Sequence, residues 1–230
     1  MRSGSIKKVL ILVTILAVPG FLYYLLQDKG KNRYRPLPVF GPKTLSGTFH
    51  SRRGEKIPDT VFHVLSDLTL KNQAGAPVSL KMAEPKVIVA GLFYTGGGEP
   101  VGIFGKALEG LNLVYERNQL IRFIGISVDP ADGPAALSRF GEKYKARAGK
   151  WDLVSGDTAT VYPFIRKQLL LDVVARADKG FVYSNKLVLI DTERRIRGFY
   201  DAANAEEVAK LDDEIKVLVA ETLRNVRDGR

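Results

Sequence analysis

Residues 87–128 read VIVAGLFYTGGGEPVGIFGKALEGLNLVYERNQLIRFIGISV, and their pattern decides the fold. Val87 to Phe93 is a continuous apolar run, which predicts a central strand buried on both faces. Thr95 to Gly102 is a glycine-rich loop. Ile103, Leu108, Leu111 and Val114 then recur at helical spacing and predict a helix over 103–116. Leu120 to Val128 is a second continuous strand. Strand, helix and strand in this order form a crossover, and a crossover implies parallel strands.

Working outward, residues 135–144 predict a short helix and 151–154 a short strand. Residues 158–169 predict a helix with Val161, Phe164 and Ile165 inward. Residues 186–190 and 197–200 flank Asp191-Thr192-Glu193-Arg194-Arg195, which reads as a β-hairpin. Residues 205–227 form a closing helix, with Val208, Leu211, Ile215, Leu218 and Val219 as its apolar stripe. Upstream, 60–70 alternates weakly and ends at the turn Asn72-Gln73-Ala74-Gly75 before Val78-Ser79-Leu80. The expected fold class is α/β: a thioredoxin-like mixed central sheet flanked by helices, spanning residues 58–228.

Before that domain the character of the chain changes. Residues 1–60 hold 11 Lys and Arg against 3 Asp and Glu, whereas the remaining 170 hold 24 against 22. Of the net charge of +10, +8 therefore belongs to the N-terminal segment. There it flanks Val9 to Leu26, an uncharged apolar run of 18 residues in which only Thr14 is clearly polar. As a helix this run spans about 27 Å, enough for a bilayer core. No clear A-x-A cleavage site follows Ala17 and the run continues to Leu26, which favours an uncleaved signal anchor over a secretory signal peptide. Residues 1–8 are then a tail, 9–26 the transmembrane helix, and 27–57 a basic Pro/Gly tether with little apolar periodicity. Cations on both sides of the run leave its orientation open. Anionic lipid is a more natural partner for this basicity than nucleic acid.

The chain has no cysteine and two histidines, His50 and His63. Disulfides, thiolate metal sites, thiol redox chemistry and Cys nucleophiles are excluded, and so is a His-rich metal site. With no Ser–His pair in a plausible register, hydrolase chemistry has no carrier.

Several motifs together resemble the Sco/SenC family, thioredoxin-fold, membrane-anchored proteins that deliver copper to cytochrome oxidase or act there as thiol reductants. The family's T-x-C-P-x-x-C-P is matched by Thr95-Gly96-Gly97-Gly98-Glu99-Pro100-Val101-Gly102, after Phe93-Tyr94. Its S-x-D-P is matched by Ser127-Val128-Asp129-Pro130, in a loop one residue shorter that continues to Asp132. Its W-x-F-x-T-G-D is matched by Trp151-Asp152-Leu153-Val154-Ser155-Gly156-Asp157. The most specific match is Tyr183-Ser184-Asn185-Lys186-Leu187-Val188-Leu189-Ile190-Asp191 with Arg195-Ile196-Arg197-Gly198-Phe199-Tyr200-Asp201, against H-S-x-x-x-x-L-x-D and R-I-R-G-Y-Y-D. The resemblance covers roughly 58–225 together with the anchor and tether. It implies a single-pass protein of the cytoplasmic membrane, with the N-terminus inside and the domain on the periplasmic side.

The family's two Cys and one His copper ligands fall on Gly97, Val101 and Tyr183, so all three are missing. Soft Cu(I) needs thiolate, thioether or imidazole, and Met1 and Met82 are the only thioethers. No catalytic, cofactor or metal residue is assigned. The Gly96–Gly98 loop reads as a former active-site loop relaxed to small residues; an anion cradle is the rival reading, with Glu99 against it. Asp129 and Asp132 read as N-cap acids rather than a hard-metal pair, and Asp157 as a turn or cap acid. Tyr183 reads as packing in the vacated histidine space, His63 as a surface or cross-strand residue, and His50 as solvated. Arg194, Arg195 and Arg197 read as a solvated charge cluster, with docking as the rival.

The expectation is a non-enzymatic binding or scaffolding subunit, or assembly factor, of a respiratory oxidase complex in the envelope, without cofactor. The alternative is a copper chaperone whose ligands come from a partner or from other residues.

Overall fold

The computed structural model describes residues 3–29, 36–52, 55–81, 86–177 and 180–227. The chain divides into two compact units, 1–35 and 36–230. The first unit carries one helix, α1 (Ser3–Lys29), with Pro19 inside it. The side chains described in its apolar run are those of 11–24, all exposed. Among the described residues, no helix is long and apolar enough to cross a membrane.

The second unit is built on seven strands. β5 (Val87–Phe93), β6 (Ile121–Ser127) and β7 (Trp151–Ser155) are parallel neighbours. On one side β10 (Lys186–Ile190) pairs antiparallel with β5, and β11 (Ile196–Asp201) antiparallel with β10. On the other, β3 (Thr69–Asn72) runs antiparallel to β7, and β4 (Pro77–Ser79) antiparallel to β3. The sheet order is β11-β10-β5-β6-β7-β3-β4. Helices α2 (Gly98–Tyr115), α3 (Pro134–Tyr144) and α5 (Ala205–Arg227) share the core of one face, and α4 (Thr158–Lys167) lies on the other.

The two-sided burial expected of Val87–Phe93 follows from the period-two alternation of a strand. Val87, Val89 and Phe93 join the α2–α3–α5 core, and Ile88, Ala90 and Leu92 join the α4 core. Burying each of the larger side chains among these, the valines, Ile88, Leu92 and Phe93, contributes about 1.5–3 kcal/mol. Gly91 sits among them because a Cβ there would come within 2.6 Å of the Phe104 ring, which stacks on Phe93 at 5.5 Å. Asp152 is fully buried and pins the β3, β6 and β7 side of the sheet. It accepts from Arg122 Nε (2.6 Å), Asn72 Nδ2 (2.9 Å) and the Gly149 N–H (2.9 Å).

Several elements differ from the sequence expectation. The 27–57 stretch, read as tether, carries β1 (Lys43–Arg52) and the start of β2 (Glu55–Phe62), an antiparallel pair apart from the central sheet. Their residues are mostly polar or small, so no apolar periodicity announces them. Residues 37–40 also pack on the domain. Leu37 O and Pro38 O accept from Arg197, and the Phe40 N–H donates to Ile196 O at 2.9 Å. Residues 63–68, read as strand, are irregular, with Leu65 and Leu68 buried. A further two-stranded sheet, β8 (Val173–Ala175) with β9 (Phe181–Tyr183), went unread because each strand has only three residues. Residues 30–35 of the tether, Arg53, and the thioethers Met1 and Met82 lie outside the described residues.

Candidate functional site

The vacated ligand positions lie where β5 runs into α2. The chain leaves Phe93, and the Gly97 N–H donates to Tyr94 O at 3.1 Å, closing a turn. α2 begins at Gly98, five residues earlier than its apolar spacing predicts, because Gly98, Glu99, Pro100 and Gly102 contribute nothing to an apolar stripe. Gly97 is its N-cap, with no side-chain capping bond, and Glu99 lies in its first turn. Gly98 takes φ +63°, a conformation that favours glycine.

Gly97 has an ordinary backbone; its lack of a side chain matters for space. A Cβ there would lie 2.1 Å from Val101 Cγ2 and 3.0 Å from Tyr94 Cε1. Val101 is 3% exposed. The two vacated cysteine positions thus face each other across one turn of helix, and the valine fills the space between them. Their atoms here are hydrogens and methyl carbons, which offer no donor to a metal and no sulfur to a redox step.

The third vacated position, Tyr183, ends β9. Its ring meets Tyr94 edge-on at 5.9 Å, and the Phe181 ring also meets Tyr94, at 5.0 Å. Burial first, then the neighbouring Tyr94, pushes the Tyr183 phenol up to about 12. The phenol is therefore neutral over the physiological range and serves as aromatic packing.

The loop after β6 corrects the reading of Asp129 and Asp132 as N-cap acids. The N-cap of α3 is Gly133, with Pro134 at the first helical position and no side-chain cap bond. Proline presets the helical φ and needs no N–H partner there. Asp132 is instead turned inward and 4% exposed. It accepts from the Thr95 N–H (2.8 Å), the Thr95 hydroxyl (2.5 Å) and the Ser127 hydroxyl (2.6 Å). Asp129 accepts from the Ala131 N–H at 2.8 Å, a local turn. Next to it, the Tyr162 hydroxyl donates to Val128 O at 3.0 Å, and its phenol is raised by burial and then by Asp129. Among the described residues, no group of three or more His, Asp and Glu is placed to hold a metal ion.

Other candidates disperse. His63 lies beyond β2, beside Gly41, with Nε2 2.9 Å from Gln168 O; it follows the strand rather than lying in it, and it is half-buried. The side chain of His50 lies outside the described residues. Asp157 does cap α4, accepting from the Thr160 N–H at 2.8 Å, which holds its carboxyl below the usual range. The arginine cluster is not a solvated face. Arg197 is 3% exposed and bonds Asp191 (2.9 Å) and Leu37 O (2.7 Å). Arg195 pairs with Asp191 and Glu193, and Arg194 occupies the hairpin turn at φ +61°. A β-turn closed by a carboxylate recruits the arginines that follow it, which a count of charges cannot show.

Two features of this region were missed in the sequence. One is Tyr94, whose ring abuts Gly97, Phe181 and Tyr183. The other is a cleft of about 380 Å³ between α2 and α3, lined by Thr95, Gly98, Val101, Arg139, Phe140 and Lys143 among others. Gly105 allows the two helices to approach, since a Cβ there would lie 2.6 Å from the Tyr144 ring.

No protein-family model matches this sequence, and no curated protein matches it significantly. Solved structures do. A SCO1/SenC family lipoprotein from Bacillus anthracis str. Ames has 21% identity and a TM-score of 0.63, over 68% of this chain and 95% of that one. BsSco, a member of the Sco family of cytochrome c oxidase assembly proteins, has 20% identity and a TM-score of 0.58, over 68% and 93%. The copper-bound ScoI of Arabidopsis thaliana has 17% identity and a TM-score of 0.57, over 68% and 99%. At this identity the likeness is one of fold, and it agrees with the expected α/β, thioredoxin-like class. The domain that follows residue 35 has the fold of Sco/SenC family structures, without a single cysteine in the chain.

Proposed function

We propose that this chain is a membrane-anchored Sco/SenC-type protein that has given up copper and thiol chemistry. It acts as a binding or scaffolding subunit, or as an assembly factor, of a respiratory oxidase complex in the cell envelope. The observation that carries this reading is the filled space at residues 97 and 101, where Val101 Cγ2 occupies the position a Gly97 side chain would need. A site whose ligands are gone but whose ligand space stays empty could borrow them from a partner; here the space between residues 97 and 101 is filled by the protein's own valine. The well-packed sheet around that spot supports retention of the fold for its surface. The apolar run 9–26 and the basic residues flanking it support an anchor in the cytoplasmic membrane, with the domain outside.

The test has two arms. Full-length protein is titrated with Cu(I) under reducing conditions; no stoichiometric binding is expected, and sub-micromolar binding would overturn the reading. The tagged protein is also recovered from detergent-solubilised membranes. Co-purification of oxidase subunits or of their assembly proteins is expected, and recovery of the chain alone would overturn the scaffolding role.

A further inference from the structure

The β1–β2 hairpin stands apart from the central sheet, and its two faces differ in charge. Paired residues share a face, and faces alternate along each strand. The register places Lys43 with Phe62, Leu45 with Thr60 and Phe49 with Pro58, with a bulge between Leu45 and Phe49. One face therefore carries Lys43, Leu45, Phe49, Lys56 and Phe62 and no acid. The acids Glu55 and Asp59 fall on the opposite face with Ile57 and Val61, where Arg52, the register partner of Glu55, is the one Lys or Arg among the described residues. Leu45 is 70% exposed and Phe49 61%.

We propose that the lysine-bearing face of this hairpin lies on the surface of an anionic lipid bilayer. Leu45 and Phe49 would enter the boundary between headgroups and acyl chains, while Lys43 and Lys56 meet lipid phosphates. The charge pattern selects this occupant. A second copy docked face to face would bring Lys43 and Lys56 against their own images. Nucleic acid would neutralise the lysines and leave the two apolar side chains in water. A two-stranded hairpin is also marginal alone in water, and a lipid surface supplies the burial it lacks. The inference rests on the anchoring proposed above, since the hairpin begins only 14 residues after α1 ends.

The absence of native cysteine makes the test clean. Full-length Phe49→Cys and Val61→Cys proteins carry a nitroxide and are reconstituted into vesicles of phosphatidylcholine with phosphatidylglycerol. Flotation of the vesicles reports anchoring independently. Accessibility of the Phe49→Cys label to a water-soluble nickel chelate is expected to fall by about tenfold relative to detergent, as for an apolar residue sunk below the headgroups. The Val61→Cys label should stay accessible. Leu45→Cys repeats the measurement should Phe49→Cys not fold. Protein that floats with both labels accessible overturns the hairpin surface and leaves the anchor standing. Protein that does not float overturns both. Equal shielding at both positions overturns the face assignment, and spin–spin broadening relieved by unlabelled protein assigns the face to a second copy.

Discussion

Thr95 gives both of its donors to one residue: its N–H and its hydroxyl both bond the Asp132 carboxylate, at 2.8 and 2.5 Å. Through this pair the loop after β5 is fastened to the loop after β6, and Ser127 adds a third donor from the strand itself. Asp132→Ala would leave the buried Ser127 hydroxyl and the two Thr95 donors without that acceptor. A loss of about 2–4 kcal/mol is expected in chemical denaturation. Asp132→Asn keeps an acceptor and should cost less than half as much.

Gly97 and Val101 should be strongly coupled. Gly97→Ala forces a Cβ onto Val101 and should cost about 1–3 kcal/mol through overpacking. Val101→Ala alone should also cost stability, by removing buried methyls. The double variant should be more stable than the sum of the two single losses predicts, because the alanine at 101 vacates the space that the alanine at 97 needs. A double-mutant cycle measured by urea denaturation checks this, and simple additivity would contradict the packing.

Arg197 is expected to be among the most sensitive positions of the domain. Arg197→Met removes a partner of Asp191 and orphans the carbonyls of Leu37 and Pro38, a loss of about 3–5 kcal/mol. Arg197→Lys keeps the charge but not the forked geometry, and should fall between Met and wild type. Limited proteolysis should cut residues 36–42 faster in both variants.

Lys150 sets a pH dependence. Burial first, then Lys86, lowers its ammonium to about 8, although Nζ reaches the carbonyls of Asn118 and Ile121 at 2.7 Å. A lysine whose folded pKa lies below its unfolded value binds fewer protons folded than unfolded between the two, so stability rises with pH in that window. The protein should therefore gain stability between about pH 8 and 10. The gain should vanish in Lys150→Met, as read from denaturation midpoints across that range. The buried Tyr115 and Tyr200 phenols are raised and act in the other sense, but only above the unfolded phenol pKa near 10.

The sheet was legible in the sequence because burial on both faces leaves 87–93 with no polar interruption and 121–128 with only Arg122 and Ser127. The site was legible in part. The motif match gave Gly97, Val101 and Tyr183 as addresses, yet whether those addresses were open or closed depended on a contact between Gly97 and Val101 that only coordinates display. Asp132 was misread because an acid before a helix fits a cap; Pro134 and Gly133 took over that end, and the buried hydroxyls of Thr95 and Ser127 decided its direction. Arg197 was misread because charges close in sequence look solvated until the Asp191 carboxylate of the same hairpin is seen to be buried with them. The β1–β2 hairpin was hidden by its own composition, since an arm with no core to face has no alternation to reveal it.

The bridge from the Phe40 N–H to Ile196 O has a consequence for colloidal behaviour. β11 is the outer strand of the sheet, and an outer strand presents unpaired backbone groups that can template addition of a foreign strand. Phe40 occupies one of those groups and sets its ring against Phe199, edge-on at 5.5 Å. The segment that leads into the domain thus doubles as a guard on that rim. A chain trimmed to begin after residue 42 would keep every strand of the sheet and lose its protection against self-polymerisation.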